Sequence, residues 1–302
     1  MSGELPVLNF AAAKKSYETL HLMTQVVGKI KLRSLPWINH SWHVTQALTP
    51  TGLTTGILPN GNNYFQIDFD LSDHQLKIIT DQQQIRSFDL ENIPVAVFYK
   101  KIFNYLKELN INLKINKAPN ELEEIIPFDK DTVHADYDAE YIRQLHKTLL
   151  FANEVFTLFR AEFKGKCSPV HFFWGSFDLA VSRFSGRSAP LHPGGIPNLP
   201  DRVVREAYSH EVSSSGFWPG SDILPEAVFY NYIYPEPEGF NVAEIKPQQA
   251  YYHTQLKEFI LPYEEVRKSK DPASTLMDFL HSSFDAASEL SRWNIISIEH
   301  SH

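Results

Sequence analysis

Hydrophobic and polar positions along this chain follow two periods, and the switches between them mark out the elements. Over 12–31 the apolar residues Tyr17, Leu20, Met23, Val27 and Ile30 recur at helical spacing, and Pro36 bars continuation. Short strand-like runs follow at 41–48, 54–58, 64–70, 75–80 and 85–90. In YFQIDFD, Phe65, Ile67 and Phe69 alternate with Gln66, Asp68 and Asp70, the pattern of a half-buried antiparallel strand. Gly61-Asn62 and Ser72-Asp73 supply turn chemistry between the runs. A second helix, 94–109, opens on proline and carries Phe98, Ile102, Tyr105, Leu106 and Leu109 on one stripe.

The same order then recurs. A helix over 139–164 carries Ile142, Leu145, Leu149, Ala152, Phe156 and Phe159, the runs GSFDLAVSRFSGR and AVFYNYIYP read as strands, and a last helix covers 272–290. The expectation is an α+β fold of two similar helix–antiparallel sheet–helix halves, 1–118 and 119–302. They read as an internal duplication packed as one pseudo-symmetric unit. The second half differs by a long inserted loop at about 185–225, rich in proline and glycine. Its Tyr208, Phe217 and Trp218 argue against disorder, so it reads as an ordered, ligand-facing cap over a cleft.

Composition narrows the function classes. A net charge of −8 argues against broad nucleic-acid binding, which needs a basic face. No apolar run approaches the length that spans a bilayer, and MSGELPVLNF does not read as a secretory signal. The single cysteine, Cys167, excludes an internal disulfide framework and a multi-cysteine zinc cage. The expectation is a cytoplasmic protein with a small-molecule ligand, no nucleic-acid or membrane partner and no cofactor; oligomeric state is not legible.

Candidate chemistry concentrates in 171–240. Seven of the 13 glycines lie there, and no lysine occurs between Lys166 and Lys246, although Arg183, Arg187, Arg202 and Arg205 do. Arginine's rigid fork suits fixed partners, so Arg183 and Arg187 are candidates to hold an anionic group. Trp174 and Trp218 are candidate walls. On a strand, His43 would share a face with Ser41 and Thr45, and Asp178 with Ser176, Ala180 and Ser182: either a pocket floor or a solvated sheet face. His192, in HPGG, and Ser213–Gly216, SSSG, could present backbone N–H groups to an anion, or be ordinary turns. SHEVS resembles the zinc-protease motif but has Ser214 where the second histidine belongs. His210 remains a candidate general acid or base, oriented by Glu211 or Asp178. His171, Asp178, His192, His210 and Glu211 are donors enough for a metal ion, but their spacing gives no support for convergence, so no metal site is assigned. Cys167, beside Lys164 and Lys166, reads as an inert half-buried thiol sooner than an activated one.

The strings LPWINHSWH at 35–43, GLTTG at 52–56, PVHFFWGSFDLAVSRFSGR at 169–187, HPGG at 192–195, REAYSHEVSSSGFWPG at 205–220 and YPEPEGF at 234–240 resemble, over almost the full length, a bacterial family of uncharacterised proteins, a domain of unknown function. The resemblance implies no activity, cofactor or catalytic residue. The leading reading is an enzyme acting by acid–base chemistry on a small polar or anionic metabolite in a His/Arg/Trp-lined cleft. A non-catalytic small-molecule binding protein is second. An interaction scaffold, with an exposed row of Tyr230, Tyr232 and Tyr234, is third.

Overall fold

A computed structural model describes residues 4–294. Helix α1 (Phe10–Ser34) begins at Asn9, whose side chain accepts from the Ala12 N–H. It leads into a sheet of β1 (Ala47–Thr49), β2 (Gly52–Thr54), β3 (Leu58–Asn60), β4 (Asn63–Asp70), β5 (Gln75–Thr80) and β6 (Ile85–Asp89), and then α2 (Val95–Glu108). The second half opens with α3 (Ala139–Ala161). Its sheet comprises β7 (His171–Phe173), β8 (Asp178–Ser188), β9 (His210–Trp218), β10 (Val228–Tyr234), β11 (Tyr251–His253) and β12 (Glu258–Pro262). A short helix, α4 (Asp201–Ala207), lies between β8 and β9, and α5 (Tyr263–Lys268) and α6 (Pro272–Leu290) close the described chain.

The fold is α+β, with two antiparallel six-stranded sheets. The first runs β1-β2-β4-β5-β6, with β3 paired to β4, and the second runs β11-β12-β10-β9-β8-β7. They meet edge to edge, where Gln46 and Phe172 exchange both backbone hydrogen bonds at 2.9 and 2.8 Å. In β4 the alternation holds as the sequence predicts: Phe65, Ile67 and Phe69 are buried, and Phe69 stacks on Phe98 of α2. One apolar core runs through both halves, from Phe69 and Phe98 to Phe229 and Phe284. Helix α1 crosses it and is buried on almost every side from Thr19 to Ile30, which is why its apolar stripe is broad and weakly one-sided.

Three expectations change. The segment 41–48 is not one strand: Asn39–Ser41 is a 3-10 turn with His40 and Ser41 at φ 57° and 59°, and only β1 is extended. Left-handed backbone cannot sit in a strand ladder, so His43 shares no sheet face with Asp178. Much of the expected 185–225 loop is strand: β8 runs to Ser188, and β9 is an inner strand between β8 and β10. Its SSSG is extended because small side chains fit a strand covered on both faces. There Asn231 donates to Ser213 Oγ and Ser215 Oγ at 3.2 and 2.8 Å. The row Tyr230, Tyr232 and Tyr234 is also not an exposed surface. Tyr230 is buried, Tyr232 and Tyr234 are half-buried, and all three hydroxyls are hydrogen-bonded within the chain.

Candidate active site

The outer face of the second sheet is covered, and the space between sheet and cover is a cavity of about 530 Å³. Strand alternation chooses its floor. Leu179 and Val181 of β8 enter the core, so Asp178, Ala180 and Ser182 face the cavity, beside Ser214 of β9 and Tyr230 and Tyr232 of β10. Trp37 and Trp42 from the segment after α1, and Trp174 from the β7–β8 turn, form walls; Val203, Ala207 and Tyr208 of the α4 region form the roof. Residues 189–209 thus do cover a cavity on the second half.

The floor is a hydroxyl and carboxyl network. Ser176 Oγ donates to Asp178 Oδ1 and the Tyr230 hydroxyl donates to Asp178 Oδ2. Burial pushes the Asp178 carboxyl above its ordinary range, against the pull of those two donors, and pushes the Tyr230 phenol well above its own, so Tyr230 stays a donor. A glycine makes this contact possible. Gly216 lies between Ala180 and Tyr230 in register, and a Cβ there would stand 2.3 Å from the Tyr230 ring and hydroxyl. Beside this group, the Tyr208 and Tyr232 hydroxyls pair at 2.9 Å, as do Ser182 Oγ and Ser214 Oγ.

The second carboxyl of the cavity belongs to Glu121, a loop residue at φ 61° that lies over Gly175, where a Cβ would stand 1.9 Å from Oε1. No hydrogen bond or ion pair to the Glu121 carboxyl is found among the described residues. Burial, and then the charge of Asp178, raise it from 4.5 to about 7. Glu258, half-buried on β12, is raised to about 8 for the same two reasons.

What holds Glu121 explains the polar residues of an otherwise apolar helix. His21, Gln25 and Lys29 fall four apart on α1, on one stripe. His21 Nε2 donates to the Gly175 carbonyl at 2.8 Å. Gln25 accepts from Asn120 N at 2.8 Å and donates to its carbonyl at 2.9 Å. Lys29 donates to the Ala118 carbonyl at 2.7 Å and to Asn120 Oδ1. From the cover, Pro197 accepts from Glu121 N at 3.0 Å, and Asn198 Nδ2 donates to the Leu122 carbonyl at 2.6 Å. A left-handed glutamate, clamped on two sides and given clearance by a glycine, is backbone strain held at a cavity.

At the other end of the cavity, His40 Nδ1 donates to the Ala207 carbonyl at 2.9 Å, which leaves Nε2 to accept from Lys166 at 2.6 Å. Burial lowers the His40 imidazole, so it stays neutral beside the ammonium.

Of the residues singled out from sequence, Asp178 and Trp174 line the cavity. Trp174 is anchored by donation to the Val44 carbonyl at 2.8 Å and packs where Gly28 of α1 has no side chain. Arg183 lies on the opposite face of the sheet, as its neighbour Ser182 requires. It is only 3% exposed, donates to the Phe159 carbonyl and lies 3.3 Å over the Phe159 ring. Arg187 and Glu211 pair with each other at 2.6 Å, and Arg187 also donates to the Ser291 carbonyl, tying β8 to the end of α6. Glu211 therefore orients Arg187, not His210. His210 contacts Ser209 Oγ at 3.0 Å and stands 6.0 Å, ring to ring, from His40, one layer behind the wall. His192 stacks on Tyr208 at 4.7 Å, behind the roof. His43 packs on Trp37 at 4.7 Å and accepts from Ile38 N at 3.1 Å. Trp218 belongs to a small cluster with Leu224, Val228 and Ile260 on the outer face.

Among the described residues no three His, Cys, Asp or Glu side chains group closely enough to hold a metal ion, and no helix is long and apolar enough to cross a membrane. Burial raises the Cys167 thiol to about 11, which makes it a poor nucleophile. Glu121, Trp37, Trp42 and His40 were not singled out as site residues from sequence, and Tyr230 was read only as part of an exposed interaction row. The available signals were polar residues four apart inside an apolar helix, and a lone Gly216 in a strand that pairs with the tyrosine-bearing β10.

No curated protein and no solved structure matches the chain. A family profile does, over residues 5–300, and the long strings that carry the resemblance supply part of the floor and wall of the cavity. The chain belongs to the family of unknown function DUF5996.

Proposed function

We infer that the cavity on the second sheet is an active site in which acid–base chemistry is done on a small polar metabolite. The observation that carries this reading is the Glu121 carboxyl. It lines a half-open cavity walled by tryptophan and tyrosine rings, has no hydrogen-bond or ion-pair partner among the described residues, and titrates at about 7, where a side chain both gives and takes protons near neutral pH. Asp178 is its counterpart. Held by Ser176 and Tyr230, it is fixed in orientation and supplied with a phenol that can donate to a developing negative charge. Two carboxyls in one cavity, one bonded and one free, is the arrangement by which environment separates an acid from a base. Trp42, Trp174 and Tyr208 exclude water and hold the ligand. The basic groups expected to bind an anion lie elsewhere, since Arg183 and Arg187 are spent on Phe159, Glu162, Glu211 and Ser291.

A second reading, binding without turnover, is favoured by the fact that both Asp178 oxygens already accept hydrogen bonds. The test is to incubate the protein with a cell extract and follow small-molecule ions by mass spectrometry, with Glu121→Gln in parallel. Turnover should fall by roughly 100- to 10,000-fold in the variant, the usual share of a general acid or base. An ion consumed equally fast by both proteins overturns the role of Glu121. A ligand retained but never converted by either one favours the binding reading.

A further inference from the structure

We propose that the cavity takes a small organic ammonium ion, with its cationic head on Glu121 and its apolar body against the tryptophans and tyrosines. The proposal rests on the reading of this cavity as the site and adds the charge of what enters it. Around this cavity the acidic groups lack counter-ions of their own among the described residues. Two carboxyls line the cavity, Glu121 and Asp178, and Glu258 stands close enough on β12 to be raised by Asp178. Each nearby cation has another partner. The Lys29 ammonium is bound to the Ala118 carbonyl and Asn120 Oδ1; Lys166 is bound to His40; the Arg202 guanidinium lies 5.2 Å over the Trp37 ring. No ion pair involving Glu121, Asp178 or Glu258 is found among the described residues.

A carboxyl buried without a counter-ion holds its proton to higher pH, because its charged form is poorly solvated. A ligand cation supplies the missing counter-ion, and the proton leaves for solvent. The groups facing Glu121 do not stand in for it. Asp178 of β8 is acidic, Tyr208, Tyr230 and Tyr232 are neutral phenols, and Lys29 of α1 points its donors at the loop that carries Glu121. The rings complete the match, since ring faces carry the negative end of the aromatic quadrupole and attract an ammonium group. An anionic ligand would meet two carboxyls, while the lining cations Lys29 and Arg202 are turned to the Glu121 loop and to the Trp37 ring. A neutral polyol would leave the Glu121 carboxyl without a counter-ion.

The test is calorimetric titration with three probes of one shape: phenethylammonium, phenethyl alcohol and hydrocinnamate. Each is measured near pH 7 in two buffers of different ionisation enthalpy, so that proton release is counted. Phenethylammonium should bind at least about tenfold more tightly than the alcohol, hydrocinnamate should not bind, and ammonium binding should release about half a proton, because Glu121 is about half protonated there. Ammonium affinity should rise with pH up to about 7 and then level off. In Glu121→Gln, checked by circular dichroism for an intact fold, the proton release and the preference for the ammonium should disappear while the alcohol binds as before. Asp178→Asn should reduce the proton release without abolishing it, because only the smaller part of the Glu121 shift comes from the Asp178 charge. Equal affinity for ammonium and alcohol, absence of proton release, or no binding of the ammonium each overturns the cationic assignment. None of these touches the acid–base reading, which is decided by turnover in Glu121→Gln.

Discussion

The environment assigned to Glu121 has a consequence for folding that needs no ligand. Its carboxyl is raised by burial and by Asp178 from 4.5 to about 7, so below about pH 4.5 the group is protonated in both folded and unfolded chains. As pH rises from there to about 7, the unfolded chain releases the proton and the folded one holds it, and folding becomes less favourable. A displacement of that size corresponds to about 3 kcal/mol, and solvent reaching the half-buried side chain reduces it to about 2–3 kcal/mol. Glutamine has the shape of the protonated acid and no charge to develop. Glu121→Gln should therefore match the parent near pH 4.5 and exceed it by about 2–3 kcal/mol near pH 8. Urea unfolding followed by the fluorescence of the five tryptophans measures this directly. The parent curve alone would mislead, because burial lowers His21 to about 4 and His171 to about 3. Those groups bind protons preferentially in the unfolded chain, so their contribution grows as pH rises to about 6.5, with the opposite sign. They are common to both proteins and cancel in the difference. A difference that stays flat from about pH 4.5 to about 8 would refute the placement of Glu121 in a desolvated, unpartnered site.

Two glycines offer independent checks on how the cavity is built. Gly216→Ala puts a methyl group 2.3 Å from the Tyr230 ring. The ring must swing away from Asp178, at a cost of about 1–3 kcal/mol read from urea unfolding; an unchanged stability would mean that the contact is not tight. Gly28→Ala sets two effects against each other: helix propensity alone favours alanine by about 1 kcal/mol, but the new Cβ would stand 2.3 Å from the Trp174 indole. The collision should win, with a net loss of stability and a shift in tryptophan emission as Trp174 is displaced; a stabilised variant would show that the indole has room to move.

Much of the architecture follows from neighbours along the chain. The start of α6 is set by Asp271, whose side chain accepts from Ser274 N, and by Pro272 at its first turn, and both are visible as residue types. The strands β4 and β5 declare themselves by alternation, since one face of that sheet is core and the other is solvated. Even the floor of the cavity was half legible, because a strand that contains Leu179 and Val181 must send Asp178, Ala180 and Ser182 to the opposite side.

Which side chains share a face follows from residue order along each strand. What covers that face follows only from how distant segments pack. The alternation that puts Asp178 above the sheet puts Arg183 below it, but nothing local says that the lower side is the Phe159 core and the upper side a cavity. Serines at 213–215 read as a turn, because local propensity does not register that β8 and β10 enclose them. Glu121 had no signal in its own loop. Its loop has no period, and its place depends on hydrogen bonds from Gln25, Lys29 and Asn198, each more than seventy residues away. Local patterns arise from interactions within a turn of helix or a pair of strands. A desolvated carboxyl arises from long-range packing, which forms only after distant segments have been brought together.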